Sequence, residues 1–433
     1  METKKQNRWL IAIMCTLLMI VLGTIYAWSF FQKLIVTTYG WDNTTVAWAF
    51  SLSIAFIGFA AAWGGINLPK YGPQKLAILG VLLHGIGYLL ASLAFKMHSL
   101  PVLYIGFGVI GGIGLGLGYV TPVVSAAKWF PDKKGLVTGM VVMGFGFGAL
   151  LMSKVIAPVM MNLAGQDLIT GFNYIGFTIL VLGIISAYFV VFPPANFVPE
   201  GYTPPVVKAS TAASVQITAG QAIRTSKFWF MWMLLFINVT AGIMFISFQS
   251  PLMQDIWANF KPGTDPVALA SIGATLIAIS SLFNGIGRFF WGGMSDKIGR
   301  VQTFRWILAS QIIVFIILLF VGNPYLFGLL VCYILLCYGG GFGTMPSFVG
   351  DVFTPRLMPV VYGTILTAWS AGGVLGPQIV AYMKDKFDIV TIVDNVKHVD
   401  ASVSASYAFI AGAILLTIGL VFSFFVNNKP ITE

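Results

Sequence analysis

Ser281, Asn284 and Arg288 stand at i, i+3 and i+7 in the stretch SSLFNGIGRFFWGGMSDKIGR, residues 280–300, which sets all three on one face of a helix. Arg288 is the only arginine of the chain placed well inside an apolar run. A guanidinium stays charged at any ordinary pH, so holding one at bilayer depth costs several kcal/mol or more unless something compensates. Its rigid fork of donors matches a carboxylate in bidentate fashion, which a lysine ammonium cannot do. The chemistry open to this face is the capture of a small anion. The plainer reading is an arginine that snorkels to the membrane edge, since Asp296 is only about 12 Å of helix away. Other chemistry is scarce. His84, His98 and His398 are scattered, and Cys15, Cys332 and Cys337 sit in apolar runs. They suggest no metal site and no disulfide framework, and no catalytic constellation lies in the apolar runs. Neither an enzyme nor a cofactor is expected.

The elements that must hold this face are membrane-spanning. Of 433 residues 58% are hydrophobic and 9% charged, against roughly 25% charged in soluble domains; mean hydropathy is +0.89. Windows of about 20 apolar residues place spans near 9–31, 45–66, 76–96, 102–127, 135–160, 172–193, 228–250, 267–292, 303–322, 326–348, 359–381 and 405–426. The first run is too long for a signal-peptide core and no small-residue cleavage site follows it, so it reads as the first span. The fold class expected is an all-α membrane protein of twelve transmembrane helices. The organisation expected is a six-helix half over 1–193, a polar, Pro-containing cytoplasmic linker over 194–227, and a second half over 228–433. With the N-terminus inside, 16 of the 24 Lys and Arg residues fall on inner segments, which puts both termini in the cytoplasm and the chain in the cell membrane. The net charge of +10 is spent on that asymmetry, and no nucleic-acid partner is expected. The outer loop from Lys384 to about Ser404 carries no evident motif.

The halves repeat one another. GYVTPVVSAAKWFPDKKGLVTGMVVMGFGFG (118–148) and FGTMPSFVGDVFTPRLMPVVYGTILTAWSAGG (342–373) share Pro122 with Pro346, Pro131 with Pro355, Gly139 with Gly363 and Gly148 with Gly372, all at an offset of 224. The loops after spans 2 and 8 correspond through Gly72 and Gly299, at an offset of 227. Two related halves about a central axis, with a site between them at midplane, are the build of a rocking carrier. The glycine run 106–118 has no preceding strand and no P-loop lysine, so it reads as a surface for close helix approach. Lys154 reads as snorkelling at the outer end of span 5, and His84 as a packing residue.

The loop Gly292-x-x-x-Asp296-Lys297-x-Gly299-Arg300 resembles the signature loop of the major facilitator superfamily. The loop 127–135 (AKWFPDKKG), Tyr26-x-Trp28 and Asn284-Gly285-x-x-Arg288 resemble its oxalate:formate antiporter branch, whose wider relatives are the monocarboxylate transporters. The resemblance runs through nearly all of the chain and implies the two-halved, pseudo-symmetric major facilitator fold. It also implies gating roles for Asp296, Lys297, Gly299, Arg300 and Gly72, with Asp296 set against the N-terminus of a neighbouring helix. Pro69 stands where the first-half loop of the family carries an acid. Arg288 is expected to clamp the substrate carboxylate, Asn284 to orient the guanidinium or bind substrate, and Tyr26, Trp28, Phe31, Tyr338, Phe342 and Trp369 to form an aromatic box; by the resemblance, Tyr119 takes the place of a span-4 tyrosine near the substrate. Trp369 occupies the place of a span-11 lysine that the oxalate exchanger pairs with its arginine. One fixed positive charge suits one carboxylate, whereas a second, unpaired charge is costly in a low-dielectric site.

The function expected is secondary transport of a small monocarboxylate of the lactate or pyruvate type by alternating access, with proton symport or anion exchange. The competing readings are an oxalate/formate antiporter and a non-transporting carboxylate sensor. The partners expected are the small organic anion, protons and the lipid bilayer, with the chain monomeric. The topology is checked by fusing a reporter active only in the cytoplasm to each terminus and, separately, into the loop after span 1: both terminal fusions should report and the loop fusion should stay silent.

Overall fold

In hydrocarbon an unpaired backbone N–H or C=O has no water to turn to, so each apolar run closes its hydrogen bonds internally as a helix. The computed structural model describes residues 7–194, 197–199, 218–353, 357–393, 396–400 and 402–426. Among the described residues, eleven helices are long and apolar enough to span a membrane. They are α1 (Arg8–Tyr39), α2 (Asn43–Tyr71), α3 (Pro73–Lys96), α4 (Leu100–Trp129), α5 (Val137–Leu163), α6 (Leu168–Tyr188), α7 (Ser226–Phe260), α8 (Pro266–Ile298), α9 (Arg300–Leu318), α10 (Pro324–Val352) and, last in the chain, α12 (Val403–Ser423). The remaining span, α11, is interrupted at Leu366 into Met358–Ile365 and Thr367–Phe387. All twelve expected spans are thus helical. Lys4, Lys5, Lys208, Pro355, Arg356, Lys429 and most of the 194–227 linker lie outside the described residues.

Short polar residues start the helices where the sequence leaves backbone donors free. The side chains of Asn7, Asp167, Thr225, Asp265 and Asn323 each accept from backbone N–H groups of the first turn that follows, as N-caps do. The α2–α3 and α8–α9 connections are single glycines, Gly72 at φ +78° and Gly299 at φ +87°. Only glycine enters that region freely, so the correspondence seen in the sequence is a shared backbone turn. One feature departs from the all-helical expectation. The loop after α11 is an antiparallel hairpin, β1 (Ile389–Val393) with β2 (Val396–Asp400), in register Ile389 with Asp400.

Within the halves α2 packs on α4, α3 on α6, α1 on α5, and α8 on α10; α2 meets α11, α5 meets α8, and α1 meets α7 across the division. The α8–α10 crossing fixes the height of the candidate site. A Cβ on Gly339 would run into the carbonyl of Asn284, and one on Gly343 into that of Arg288. The glycines therefore let α10 lie directly against the backbone turns that carry both residues. The run 106–118 serves the same purpose in α4, bringing it against α2 and α3. His84 is buried in that packing, edge-on to Tyr88 at 5.4 Å. Lys154 does more than snorkel: its Nζ donates to Thr275 Oγ1 of α8 at 2.6 Å.

Gly343→Ala places a methyl within 2.9 Å of the Arg288 Cα and should cost about 1–3 kcal/mol as overpacking does. A thermal unfolding scan of the purified protein should show a lowered midpoint, while Gly350→Ala, at a glycine with open space around it, should leave the midpoint where it was.

Candidate functional site

Arg288 is 5% exposed and Asn284 1%. Side chains on a helix lean toward its N-terminus, so the guanidinium reaches back along α8 toward the turn of Asn284. Its Nε and Nη1 are buried with no hydrogen-bond partner. No carboxylate among the described residues lies within ion-pair distance of it. What surrounds it is aromatic. Its Cζ stands 5.4 Å from the Phe342 ring centroid, and Tyr26, Tyr119 and Tyr338 are near enough to act electrostatically on the charge. A ring face at this distance offsets roughly 0.5–2 kcal/mol of a cation's desolvation, well short of the several kcal/mol at stake.

The aromatic residues form one continuous cluster drawn from five helices. Tyr26 of α1 and Tyr338 of α10 share a hydroxyl–hydroxyl hydrogen bond of 2.5 Å. Trp369 of α11 meets Tyr119 of α4 at 5.3 Å and Phe342 of α10 at 5.1 Å, each edge-on. Phe145 of α5 contacts Tyr26, Tyr119 and Trp369 at 5.0, 5.2 and 5.8 Å. Sequence reasoning passed over Phe145, because a phenylalanine in MGFGFG has nothing to set it apart from lipid-facing neighbours. The indole Nε1 of Trp369 is a second buried donor without a partner.

Two residues expected in the box lie elsewhere. Trp28 packs on Phe107 at 4.7 Å and donates from Nε1 to Gln32 Oε1 at 2.6 Å; Phe31 packs on Phe172 and Phe30. The reason is rotation. Trp28 follows Tyr26 by two positions, which carries it to the other side of the helix, and Phe31, three further on, shares the side of Trp28. Both fill the interior of the first six helices.

In the signature loop Asp296 is exposed and reaches, at 2.5 Å, the side-chain Nη1 of Arg300, the first residue of α9. Arg300 makes the inter-helix contact itself, its Nε 2.9 Å from Asp351 Oδ2 at the end of α10. Lys297 is exposed. In the first half the comparable tie is Arg8 to Asp132 at 2.7 Å. Slight burial works against ionisation of Asp132, but Arg8, with Lys133 beside it, holds its carboxyl below the usual range. On this face, which carries the start of α1 and the end of α12, every described ion pair stays within one half.

The opposite face is clasped across the division at three helix pairs. Lys33 of α1 and Lys384 of α11 each lie 3.0 Å from the Asp255 carboxylate of α7, and Lys384 also reaches Asp388 at 3.1 Å. Asp385 of α11 accepts from the backbone N–H groups of Asn43 and Thr44 at the start of α2, at 2.9 and 2.7 Å. Between α5 and α8, Ser281 Oγ donates to the Gly146 carbonyl and accepts from the Leu150 N–H. In the sequence Lys33 and Lys384 count only among the lysines of outer loops and span ends. Asp255 could have been suspected, since it extends the buried polar series Gln249, Ser250, Gln254 on α7.

The model of the Major Facilitator Superfamily matches residues 10–377. The oxalate:formate antiporter of Oxalobacter formigenes is 27% identical over 387 residues, covering 88% of this chain and 86% of that protein. The apicoplast pyruvate carrier 1 of Toxoplasma gondii is 29% identical, over 74% of this chain and 66% of its own length. Among solved structures, a bacterial homologue of the lysosomal transporter Spinster superposes with a TM-score of 0.70 at 16% identity, over 98% of this chain and 97% of that one. The D-xylose-proton symporter does so with 0.70 at 14%, over 98% and 99%.

Removing one partner of a buried ion pair costs about 3–5 kcal/mol, so Asp255→Asn should loosen the clasped face. A cysteine placed at the buried Ser250 should then react several-fold faster with a membrane-impermeant maleimide than the same cysteine beside an intact Asp255.

Proposed function

The chain belongs to the Major Facilitator Superfamily, a multi-pass membrane transporter by family and fold, and from that we propose that it carries small monocarboxylate anions across the membrane by alternating access. The observation that supports this reading is the buried, permanently charged Arg288, with two donor atoms unpartnered and no carboxylate of the described residues in reach. Nε and Nη1 face different edges of the guanidinium, and a carboxylate takes either one together with Nη2 as a bidentate pair. The aromatic walls of Tyr26, Tyr119, Phe145, Tyr338, Phe342 and Trp369 suit a short apolar remainder and exclude water, which strengthens the ion pair.

The charge of the site favours a monoanion over oxalate. Lys384 is the basic residue of α11 that is buried, and it is held by Asp255 and Asp388 on the clasped face. Trp369 contributes an aromatic wall and one N–H at the position facing the cluster. A dianion there would keep one charge unpaired in a low-dielectric setting. With both termini in the cytoplasm of a cell whose surface membrane holds the carrier, the clasped face is the outer one. The cycle then consists of binding from the inner side, inner closure over the neutralised arginine, and release of the three outer clasps. Closure over a bare guanidinium is opposed by its desolvation, so the loaded carrier crosses more readily than the empty one. That is the property that coupled transport requires.

Purified protein in liposomes should accumulate labelled lactate or pyruvate when driven by a proton gradient, or when the lumen is preloaded with an unlabelled acid. The first outcome assigns symport and the second exchange. Arg288→Lys should reduce either flux at least about 10-fold, as the loss of a bidentate charged contact does. Normal flux in that variant, or no flux of any monocarboxylate in the parent, would overturn the reading.

A further inference from the structure

The bond from Lys154 Nζ to Thr275 Oγ1, 2.6 Å long, joins α5 of one half to α8 of the other. Both residues are exposed, so the bond lies on the lipid-facing surface of the bundle. Lys154 stands nine residues inside the end of α5 at Leu163, and Thr275 nine inside the end of α8 at Pro266. Both ends are on the clasped side. A helix as long as α5, 27 residues, runs about 40 Å against a hydrocarbon core of about 30 Å. With the helix centred on that core, the pair lies about 8 Å beneath the headgroups of the leaflet on the clasped side.

The surroundings are those of a seam facing lipid. Val155 and Val159 of α5 and Ile279 and Leu282 of α8 are exposed apolar side chains beside the pair. Ser271, one turn nearer the clasped end than Thr275, is an exposed serine on the same strip of α8. Lys154 itself lies in the π-helical stretch Met152–Ile156 of α5, an irregularity that helices keep most often at functional positions. An ammonium has three N–H donors. Thr275 takes one and brings no charge, and no carboxylate among the described residues pairs with Lys154. Two charged donors are left at a surface that hydrocarbon covers, which is costly without an anion.

We propose that the α5–α8 seam holds a phospholipid, with its phosphate on the Lys154 ammonium, the Ser271 hydroxyl on the headgroup side, and its acyl chains along the exposed apolar side chains of the two helices. A soluble anion reaches this depth only by crossing hydrocarbon. A lipid phosphate has only to sink a short way, and the lysine stem extends to meet it. A charge-assisted bond to a phosphate is stronger than the bond to a threonine hydroxyl, so the lipid competes with Thr275 for the lysine. The site is separate from Arg288: Lys154 and Thr275 face the bilayer, whereas Arg288 is turned into the bundle.

The test adds dimyristoyl phosphatidylglycerol to the whole purified protein in detergent and counts the lipids retained per protein by native mass spectrometry. Lys154→Met should retain one lipid fewer than the parent at the same lipid concentration. Lys154→Arg should match the parent, and so should Lys96→Met, which removes an exposed charge at the clasped-side end of α3. The count is taken on compact charge states only, so a less stable variant still gives an answer. Dimyristoylglycerol, with the same chains and no phosphate, should bind the parent and Lys154→Met equally, and glycerol 3-phosphate, with no chains, should not displace the lipid. An unchanged count in Lys154→Met overturns the proposal. So does a dimyristoylglycerol count that falls in that variant, which assigns an apolar groove, or displacement by glycerol 3-phosphate, which assigns a site for soluble anions. Each of these outcomes leaves the reading of Arg288 as it was.

Discussion

Everything in this molecule answers to one electrostatic constraint, a guanidinium held inside the membrane without an anion of its own. The aromatic walls, the phenol hydroxyls and the face of Phe342 moderate the charge of Arg288, but an aromatic face recovers only part of what hydration supplied. The remaining deficit is the physical ground of the proposed anion site, since a ligand that brought one negative charge would gain more here than in water. It also makes the two halves interdependent. Arg288 belongs to α8, yet Tyr26, Tyr119 and Phe145 come from α1, α4 and α5. Parting the halves at this level takes the shield away from the charge.

The two faces are held by contrasting means. On the face bearing the described ends of the chain, ion pairs such as Arg8 with Asp132 and Arg300 with Asp351 tie helices within a half. On the other, Asp255 sits between a lysine from each half, at 10% side-chain exposure. Exposed pairs are worth little, and buried ones matter mainly through the penalty for breaking them. The buried clasp is thus the contact that most resists separation of the halves. The matched turns at Gly72 and Gly299 give each half the same sharp reversal at its signature loop, even though Pro69 removes the acid from one of them.

Much of this was legible before any coordinates. Apolar run length determines spans because lipid offers the backbone no alternative partner, and a charge within such a run points to a site. Arg288 and Asn284 were readable on those grounds, and Tyr26, Tyr119, Tyr338, Phe342 and Trp369 by likeness of motif. Trp28 and Phe31 were misplaced because a motif quoted as Tyr-x-Trp hides that its two members point opposite ways around a helix. Phe145 was missed because hydrophobicity is silent about whether a ring meets lipid or ligand. The Asp255 clasp was missed for another reason: α7 runs on to Phe260, ten residues beyond its apolar window, and its two lysines are distant in sequence. The β-branched run Ile389–Val393 carries a strand signal of its own.

The contact of Ser281 with α5 has a consequence for how the halves part. Gly146 O and Leu150 N are the two ends of a single rung in the α5 ladder, and the serine hydroxyl of the opposite half touches both. A side chain withdrawn from most interfaces leaves orphaned polar atoms behind. Here the two backbone atoms are already positioned for each other, so the ladder can reseal as the hydroxyl departs. The seam between α5 and α8 behaves like a zip whose teeth close on their own side when drawn apart, and it can open at membrane depth without admitting water to heal it.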